Sequence, residues 1–260
     1  MSDLVEVLYR GKVAWLYLNR PREMNALSRA LVSDLENALD EVAASKARAL
    51  VLTGRGRAFC AGGDLTEFLA SLEESETVLL EQLRDNQIAF EKLATFGIPT
   101  FAAINGICIA GGLELALTCD FILATTDAQI ADGHARYGVQ PGGGGTTRLA
   151  RRISLSRAKW MMFSGDYVPP DTLRDWGLLH EVIDPERFED VVQEKASILA
   201  EHSPLLLGNM KQLLEGNYDR SVEDGDRAEL ETFRTYAKSH DLREGLSAFR
   251  QKRPPKFNGT

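Results

Sequence analysis

Residues 105–120 read NGICIAGGLELALTCD, and this stretch places a glycine-rich turn between a predicted strand and a predicted helix. The strand is PTFAAI at 99–104, and the helix begins near Gly111. The first N–H groups of a helix have no partner within it, so they are natural donors to a negatively charged oxygen. Glu114 follows three residues after Gly111, on nearly the same helix face. The stretch predicts a carboxylate beside a backbone donor, although the helix dipole alone also favours a first-turn glutamate.

A second glycine cluster, AFCAGGDL at 58–65, also follows a predicted strand, ALVLT at 49–53, and precedes a helical stretch. Glycine lets the backbone approach a ligand closely because it has no Cβ, and Asp64 is a residue type that caps helices. An ordinary tight turn explains the same residues equally well. The cluster therefore indicates either a second ligand contact or a turn.

The third cluster, PGGGGTTR at 141–148, looks at first like a loop that holds phosphate. It lacks the Gly-Lys-Ser/Thr ending of a P-loop, and no acidic residue follows at the distance of a dinucleotide-binding fold. We therefore exclude nucleotide hydrolysis and NAD binding on this pattern. Four consecutive glycines predict an architectural role, namely close backbone packing.

The chain has 260 residues, 44% of them hydrophobic and 26% charged, which fits one large globular domain with or without an appendage. Its 30 Lys and Arg against 38 Asp and Glu give a net charge of −8, which argues against nucleic acid as a partner. No run of 18 apolar residues predicts a membrane span, and the first residues lack the apolar core of a secretory signal. The three cysteines lack C-x-x-C spacing, so we expect a reducing, cytoplasmic location.

Strands and helices alternate along the first part of the chain and helices dominate the last part, which predicts an α/β core followed by a helical region. Strands are predicted at 13–19, 49–53, 99–104, 121–125, 128–131 and 180–183. Helices are predicted from Ser28 onward, and at 76–95, 145–154, 156–164, 170–178, 187–202, 205–217 and 222–250. The last residues, FRQKRPPKFNGT, predict an extended, exposed tail.

Five motifs in this order resemble those of the enoyl-CoA hydratase/isomerase (crotonase) superfamily, over nearly the whole chain. They are NRPREMNALS, AFCAGGDL, AAINGICIAGGLELALTCD, VQPGGGGTTRLAR and EGLSAFRQKRPPKF. The resemblance implies a spiral of ββα units that binds acyl-CoA over residues 1–190, and a helical trimerisation region over 191–260. It also implies a homotrimer or a hexamer made of two trimers.

The resemblance further implies which residues bind an acyl-CoA thioester. The backbone N–H groups of Gly63 and Gly111 match the family's oxyanion hole, which holds the thioester oxygen as it gains negative charge. The CoA part of the substrate is expected to run past Ala26, Ala61, Asp64 and Leu65, mainly along the backbone. No metal or redox cofactor is expected, and no His or Cys shows the spacing of metal ligands.

The chain departs from the family pattern at one catalytic position. Hydratases of this family use two glutamates to position a water and exchange protons with the substrate, and Glu114 matches the first. The second position lies seven residues before Pro141, where this chain has His134. Histidine titrates near neutral pH and is able to act as an acid or a base, but a residue that only lines the pocket fits the position too. Asp132 would face the same way as His134 if this stretch were extended.

The leading hypothesis is hydration of a 2-enoyl-CoA, a lyase reaction of fatty acid metabolism, with Glu114 and His134 as the acid/base pair. A Δ3,Δ2-enoyl-CoA isomerase is an alternative because it needs one base only, although isomerases usually keep their acid at the position of His134. Thioester hydrolysis, decarboxylation and a non-catalytic acyl-CoA-binding scaffold are further alternatives. Acyl-chain specificity is expected to depend on helical residues 66–95, where four leucines either line the pocket or pack: Leu69, Leu72, Leu79 and Leu80.

Overall fold

Nine strands lie in two sheets in the computed structural model, which describes residues 4–260. The strands are β1 (Val5–Arg10), β2 (Val13–Leu18), β3 (Ala49–Gly54), β4 (Ala58–Cys60), β5 (Thr100–Ile104), β6 (Ile107–Ile109), β7 (Phe121–Thr125), β8 (Gln129–Ala131) and β9 (Glu181–Ile183). The larger sheet has the order β1-β2-β3-β5-β7-β9, in which only β1 runs antiparallel to its neighbour. Both faces of β2 and β3 are buried, and for this reason their sequences are almost continuously apolar.

The smaller sheet, β4-β6-β8, is parallel and sets the position of the glycine clusters. Each of its strands has three residues, and a turn follows each one directly, at 61–64, 110–111 and 132–133. Because parallel strands end at the same edge of a sheet, these three turns lie side by side. The sequence pattern predicted β8, but it did not predict β1, β4 or β6. Strands β4 and β6 are too short to show a clear period.

Twelve helices are present in the described part of the chain. They are α1 (Arg29–Ala44), α2 (Leu65–Glu74), α3 (Glu76–Ala94), α4 (Gly111–Ala116), α5 (His134–Tyr137), α6 (Gly145–Arg152), α7 (Leu155–Ser164), α8 (Pro170–Asp175), α9 (Phe188–Ala200), α10 (Pro204–Asn217), α11 (Val222–Tyr236) and α12 (His240–Gln251). No described helix combines the length and the apolar character that a membrane span requires.

The helix predictions are confirmed for most elements and wrong for one. Ser28 caps α1 as expected, accepting from the N–H of Leu31. The single helix predicted over 222–250 is two helices, because the Ser239 hydroxyl accepts from the N–H of Leu242 and begins a new helix there.

The layer behind the large sheet is helix α9. Its buried residues Phe188, Val192 and Ala196 pack with Trp15 and Tyr17 of β2. The domain boundary expected between residues 190 and 191 falls inside this helix, and the division into a core and an oligomerisation region stays a prediction.

The last nine residues form no helix or strand, as expected, but they are docked on the protein. The backbone N–H groups of Asn258 and Gly259 donate to the buried carboxylate of Asp241. The Arg48 guanidinium donates to the carbonyl of Phe257. These contacts hold the tail against α12 and the start of β3.

The loop between β2 and α1 is held by the buried amide of Asn25. Its Nδ2 donates to the carbonyls of Arg55 and Ala58, and its Oδ1 accepts from the N–H of Arg20. The backbone of Asn25 is left-handed, with φ 56°, which asparagine tolerates better than most residues. This one side chain therefore ties the loop that carries Ala26 to the start of β4.

We expect the substitution Asn25→Gly to lower the free energy of unfolding by about 1–3 kcal/mol, because the buried carbonyl of Ala58 and the partly buried carbonyl of Arg55 lose their donor. Glycine keeps the left-handed backbone, so the change isolates the side-chain hydrogen bonds. Urea denaturation measures the effect, with Asn217→Gly at the end of α10 as the control. A loss no greater than that of the control would contradict the assigned role of Asn25.

Candidate active site

A cavity of about 560 Å³ opens at the edge of the small sheet where its strands end. The structure brings together all eight residues that the sequence predicted for the site. Lining the cavity are Ala26, Ala61, Gly63, Asp64, Leu65, Gly111, Glu114 and His134. These residues come from four separate stretches of sequence, and the parallel arrangement of β4, β6 and β8 explains why three of the stretches meet.

Two backbone donors, the N–H groups of Gly63 and Gly111, lie close together at this cavity. A Cβ placed on Gly111 would lie 3.4 Å from the nitrogen of Gly63, which shows how close the two turns are. Among residues 4–260, no acceptor receives a hydrogen bond from either N–H group. Ala110, just before Gly111, has a φ of 50° and a ψ of −118°, a strained conformation that costs about 1–3 kcal/mol. This conformation occurs at the N-cap of α4, directly before Gly111.

The second glycine of this turn has a packing role. A Cβ on Gly112 would overlap the carbonyl of Cys60 at the end of β4. Only glycine lets α4 approach β4 this closely, and this approach holds Gly111 beside Gly63.

The carboxylate of Glu114 is buried and held by the third glycine cluster. Its Oε1 accepts from the N–H groups of Gly143, at 3.0 Å, and Gly145, at 2.9 Å. Burial raises the pKa of Glu114 above its usual value, while the two backbone donors and the neighbouring His134 oppose that rise. The residues 142–145 do pack closely, as predicted, but they also fix one oxygen of the proposed catalytic carboxylate, which the sequence reasoning missed.

His134 begins the short helix α5 rather than continuing an extended strand, and it lies between two carboxylates. Its Nδ1 is 3.1 Å from Oδ1 of Asp132, and its Nε2 is 3.8 Å from Oε2 of Glu114. Burial alone would lower the pKa of His134, but the hydrogen bond and charge of Asp132, with the charge of Glu114, raise it above 6.5. The 3.8 Å gap is too long for a direct hydrogen bond but allows one water to contact both groups.

The expected CoA side of the cavity is organised by Arg20. Its guanidinium donates to the carbonyl of Ala26, at 2.7 Å, and pairs with the Asp64 carboxylate, at 3.1 Å. Asp64 also caps α2 by accepting from the N–H of Glu67. Asp64 therefore has a structural role in shaping the cavity wall, and Leu65 next to it is about half exposed at the opening.

The opposite wall comes from one face of α3. The side chains that line the cavity there are Gln82, Leu83, Asn86 and Phe90. None of the four leucines named from the sequence lines it, and three of them, Leu69, Leu72 and Leu80, are more than half exposed. Tyr137 and Tyr167 also line the cavity and were not predicted. The four-residue spacing of Gln82, Asn86 and Phe90 was the available signal, since it places these residues on one helix face.

The described residues contain no group of three or more His, Cys, Asp or Glu side chains arranged to hold a metal ion. The groups that do converge are two unpaired backbone donors and the buried side chains of Glu114 and His134. Such a site is suited to stabilise negative charge on one substrate oxygen while protons move at neighbouring atoms.

The fold and this site define an α/β protein of the crotonase-like class. The profile of the family described as enoyl-CoA hydratase/isomerase matches residues 9–260. The chain is 36% identical over 261 residues to a 2,3-dehydroadipyl-CoA hydratase from Escherichia coli, and the match covers the full length of both proteins. It is 35% identical to an enoyl-CoA isomerase/hydratase from Mycosarcoma maydis, covering 94% of this chain and 92% of that protein. This chain belongs to the enoyl-CoA hydratase/isomerase family.

Solved structures agree with this assignment. The enoyl-CoA hydratase from Bacillus anthracis superposes with a TM-score of 0.93 at 31% identity, covering 99% of this chain and all of the other. An enoyl-CoA hydratase subunit from Geobacillus kaustophilus superposes with a TM-score of 0.90 at 34% identity, covering 99% and 98%.

The substitution Gly143→Ala tests whether the glycine loop positions the carboxylate of Glu114. A Cβ there would lie 2.7 Å from Oε2 of Glu114 and 2.7 Å from a ring carbon of Phe90, so the carboxylate must move. We expect a loss of turnover of roughly 10²-fold, because acid/base catalysis depends on placement. Gly97→Ala is the matched control, since a Cβ at Gly97 meets nothing within 4 Å. Equal turnover in the two variants would show that the loop does not position Glu114.

Proposed function

We propose that this protein adds water across the double bond of a 2-enoyl-CoA thioester. The observation that carries the proposal is the convergence, in one cavity, of two unpaired backbone donors with the Glu114 and His134 side chains. The family membership supports acyl-CoA as the substrate class.

The proposed reaction begins when the thioester oxygen accepts hydrogen bonds from the N–H groups of Gly63 and Gly111. These donors stabilise the negative charge that collects on this oxygen when water attacks the β-carbon. Glu114, as the carboxylate, takes one proton from the attacking water. The hydroxide that the water leaves bonds to the β-carbon. His134, as the imidazolium, gives a proton to the α-carbon. Transfer of a proton from Glu114 back to His134 restores both groups, so the net change is the addition of one water to the double bond.

The same groups also support movement of a double bond from the 3 to the 2 position, since one base that removes and returns a proton is enough. A non-catalytic acyl-CoA-binding protein would keep the cavity without turnover. Burial of the Glu114 carboxylate is unfavourable, and the two backbone donors that offset it both contact Oε1. Oε2 faces His134 instead, an arrangement that favours catalysis over simple binding.

We also propose that the helical region after residue 200 assembles the protein into a homotrimer or a hexamer. Six large apolar side chains on α10, α11 and α12 are about half exposed or more in the single chain: Met210, Leu214, Leu230, Phe233, Leu246 and Phe249. Exposed apolar surface of this extent is typical of an interface between subunits.

The assay that tests the function follows loss of the enoyl-thioester absorbance of crotonyl-CoA. We expect turnover by the unaltered protein and a fall of about 10²-fold or more in Glu114→Gln, which keeps the shape but not the base. Conversion of a 3-enoyl-CoA without hydration would identify the isomerase instead. Binding of CoA esters with no turnover of 2-enoyl, 3-enoyl or malonyl-type substrates would identify the non-catalytic protein.

The pair Gly63→Pro and Gly63→Ala isolates the backbone donor. Proline removes the N–H, and we expect kcat to fall by about 10²- to 10³-fold. Alanine keeps the N–H, and its Cβ meets nothing within 4 Å. Circular dichroism checks that both variants fold. If the two folded variants turn over crotonyl-CoA at the same rate, Gly63 is not an oxyanion donor.

A further inference from the structure

Three buried ionisable side chains form a line at the inner end of the cavity. Asp132, His134 and Glu114 have exposed fractions of 1%, 8% and 4%, and each contacts or nearly contacts the next. We propose that Asp132 is a positioning residue whose carboxylate pairs with His134, so that the two together act as one electrically neutral proton donor. This inference rests on the proposed function. It assigns to the Asp132–His134 pair the role that a second carboxylic acid would have.

The position of Asp132 is set by the turn that follows β8. Gly133 has a φ of 73°, which turns the chain back so that His134 lies over the preceding aspartate. A Cβ on Gly133 would lie 2.5 Å from a methyl of Ile109, so the turn needs glycine for space as well as for conformation. The sequence Asp132-Gly133-His134 is therefore a compact unit built at the end of a buried strand.

One oxygen of Asp132 orients the imidazole ring. Oδ1 accepts from the backbone N–H of His134, at 3.3 Å, and lies 3.1 Å from the ring nitrogen Nδ1. A carboxylate beside Nδ1 keeps the proton on that nitrogen. Proton exchange with the substrate is thereby assigned to Nε2, the nitrogen that faces Glu114.

The charge of the pair explains how a histidine takes the place of a carboxylic acid. A protonated imidazole beside the Asp132 carboxylate has a net charge of zero, the same as a protonated glutamic acid. When Nε2–H gives its proton to the α-carbon, the pair changes from zero to −1, again as a carboxylic acid does. Without Asp132, only the Glu114 carboxylate would face the buried imidazolium, so the protonated ring would be less favourable.

The charged groups around His134 affect how readily its ring holds the Nε2 proton. Burial lowers the pKa of His134, and the carboxylates of Asp132 and Glu114 outweigh that effect and raise it. The other titratable side chains that line the same cavity are Glu23, Asp64, Tyr137 and Tyr167. Hydration needs His134 protonated and Glu114 ionised, so the rate should fall at high pH as His134 loses its proton and at low pH as Glu114 gains one.

The first test uses Asp132→Asn, which keeps the shape of the side chain and removes its charge. The chain has four histidines, so the titration of the His134 ring is resolvable by NMR and is assigned from its loss in His134→Gln. We expect the His134 titration, and the high-pH limb of the hydration rate, to move to lower pH. We expect kcat to fall by roughly 10²-fold. Asp127→Asn, at an exposed position nearby, is the control.

An unchanged His134 titration in Asp132→Asn would overturn the proposal. This measurement needs no substrate and no turnover. If the protein hydrates no enoyl-CoA, the proposed function fails, while a shifted titration still supports the charge pair.

The second test asks whether Asp132 acts through His134. In His134→Gln there is no imidazole for Asp132 to pair with, so adding Asp132→Asn to that variant should change kcat by less than about 2-fold, whereas the same change in the unaltered protein should lower kcat by roughly 10²-fold. An equal loss from Asp132→Asn in the two backgrounds would overturn the neutral-pair assignment.

Discussion

The two hydrogen bonds from Gly143 and Gly145 to one oxygen of Glu114 connect the parts of the chain that form the cavity. A buried carboxylate must be satisfied by donors within the protein, because it has left water. Here the donors are backbone N–H groups, one of them the first residue of α6. Since both occupy Oε1, the second oxygen is left to face His134, and the two oxygens of one side chain acquire different roles.

The remaining geometry follows from three very short parallel strands. β4, β6 and β8 end at one edge, and Gly63, Gly111 and His134 follow them within a few residues, the last two as the first residues of α4 and α5. Close approach between β4 and α4 is possible because Gly112 has no side chain to meet Cys60. Gly63 and Gly111 line the cavity, and neither has a side chain that would cover its backbone N–H group.

Much of the fold was predictable, and the failures have definite causes. The apolar runs of β2 and β3 and the stripe of α1 showed in the sequence because these elements bury whole faces. The break before α12 depends on one capping serine inside a long helical pattern, which periodicity does not reveal. The sequence left open whether four leucines of 66–95 line the pocket or pack, and none of them lines the cavity. Exposure on α2 and α3 depends on which neighbouring element each helix face meets.

The sequence by itself determined the family and the residue types of the site, because motif spacing identified Gly63, Gly111, Glu114 and the unusual His134. Tertiary structure alone decided how these residues are arranged in space. A glycine has no side chain whose chemistry would indicate its hydrogen-bond partner. The sequence pattern therefore did not predict that the N–H groups of Gly143 and Gly145 bind Glu114, some thirty residues away. Asp132 changed from a neighbour in sequence to the partner of His134 for a related reason: a left-handed glycine between them reverses the chain, and only the folded backbone shows that reversal.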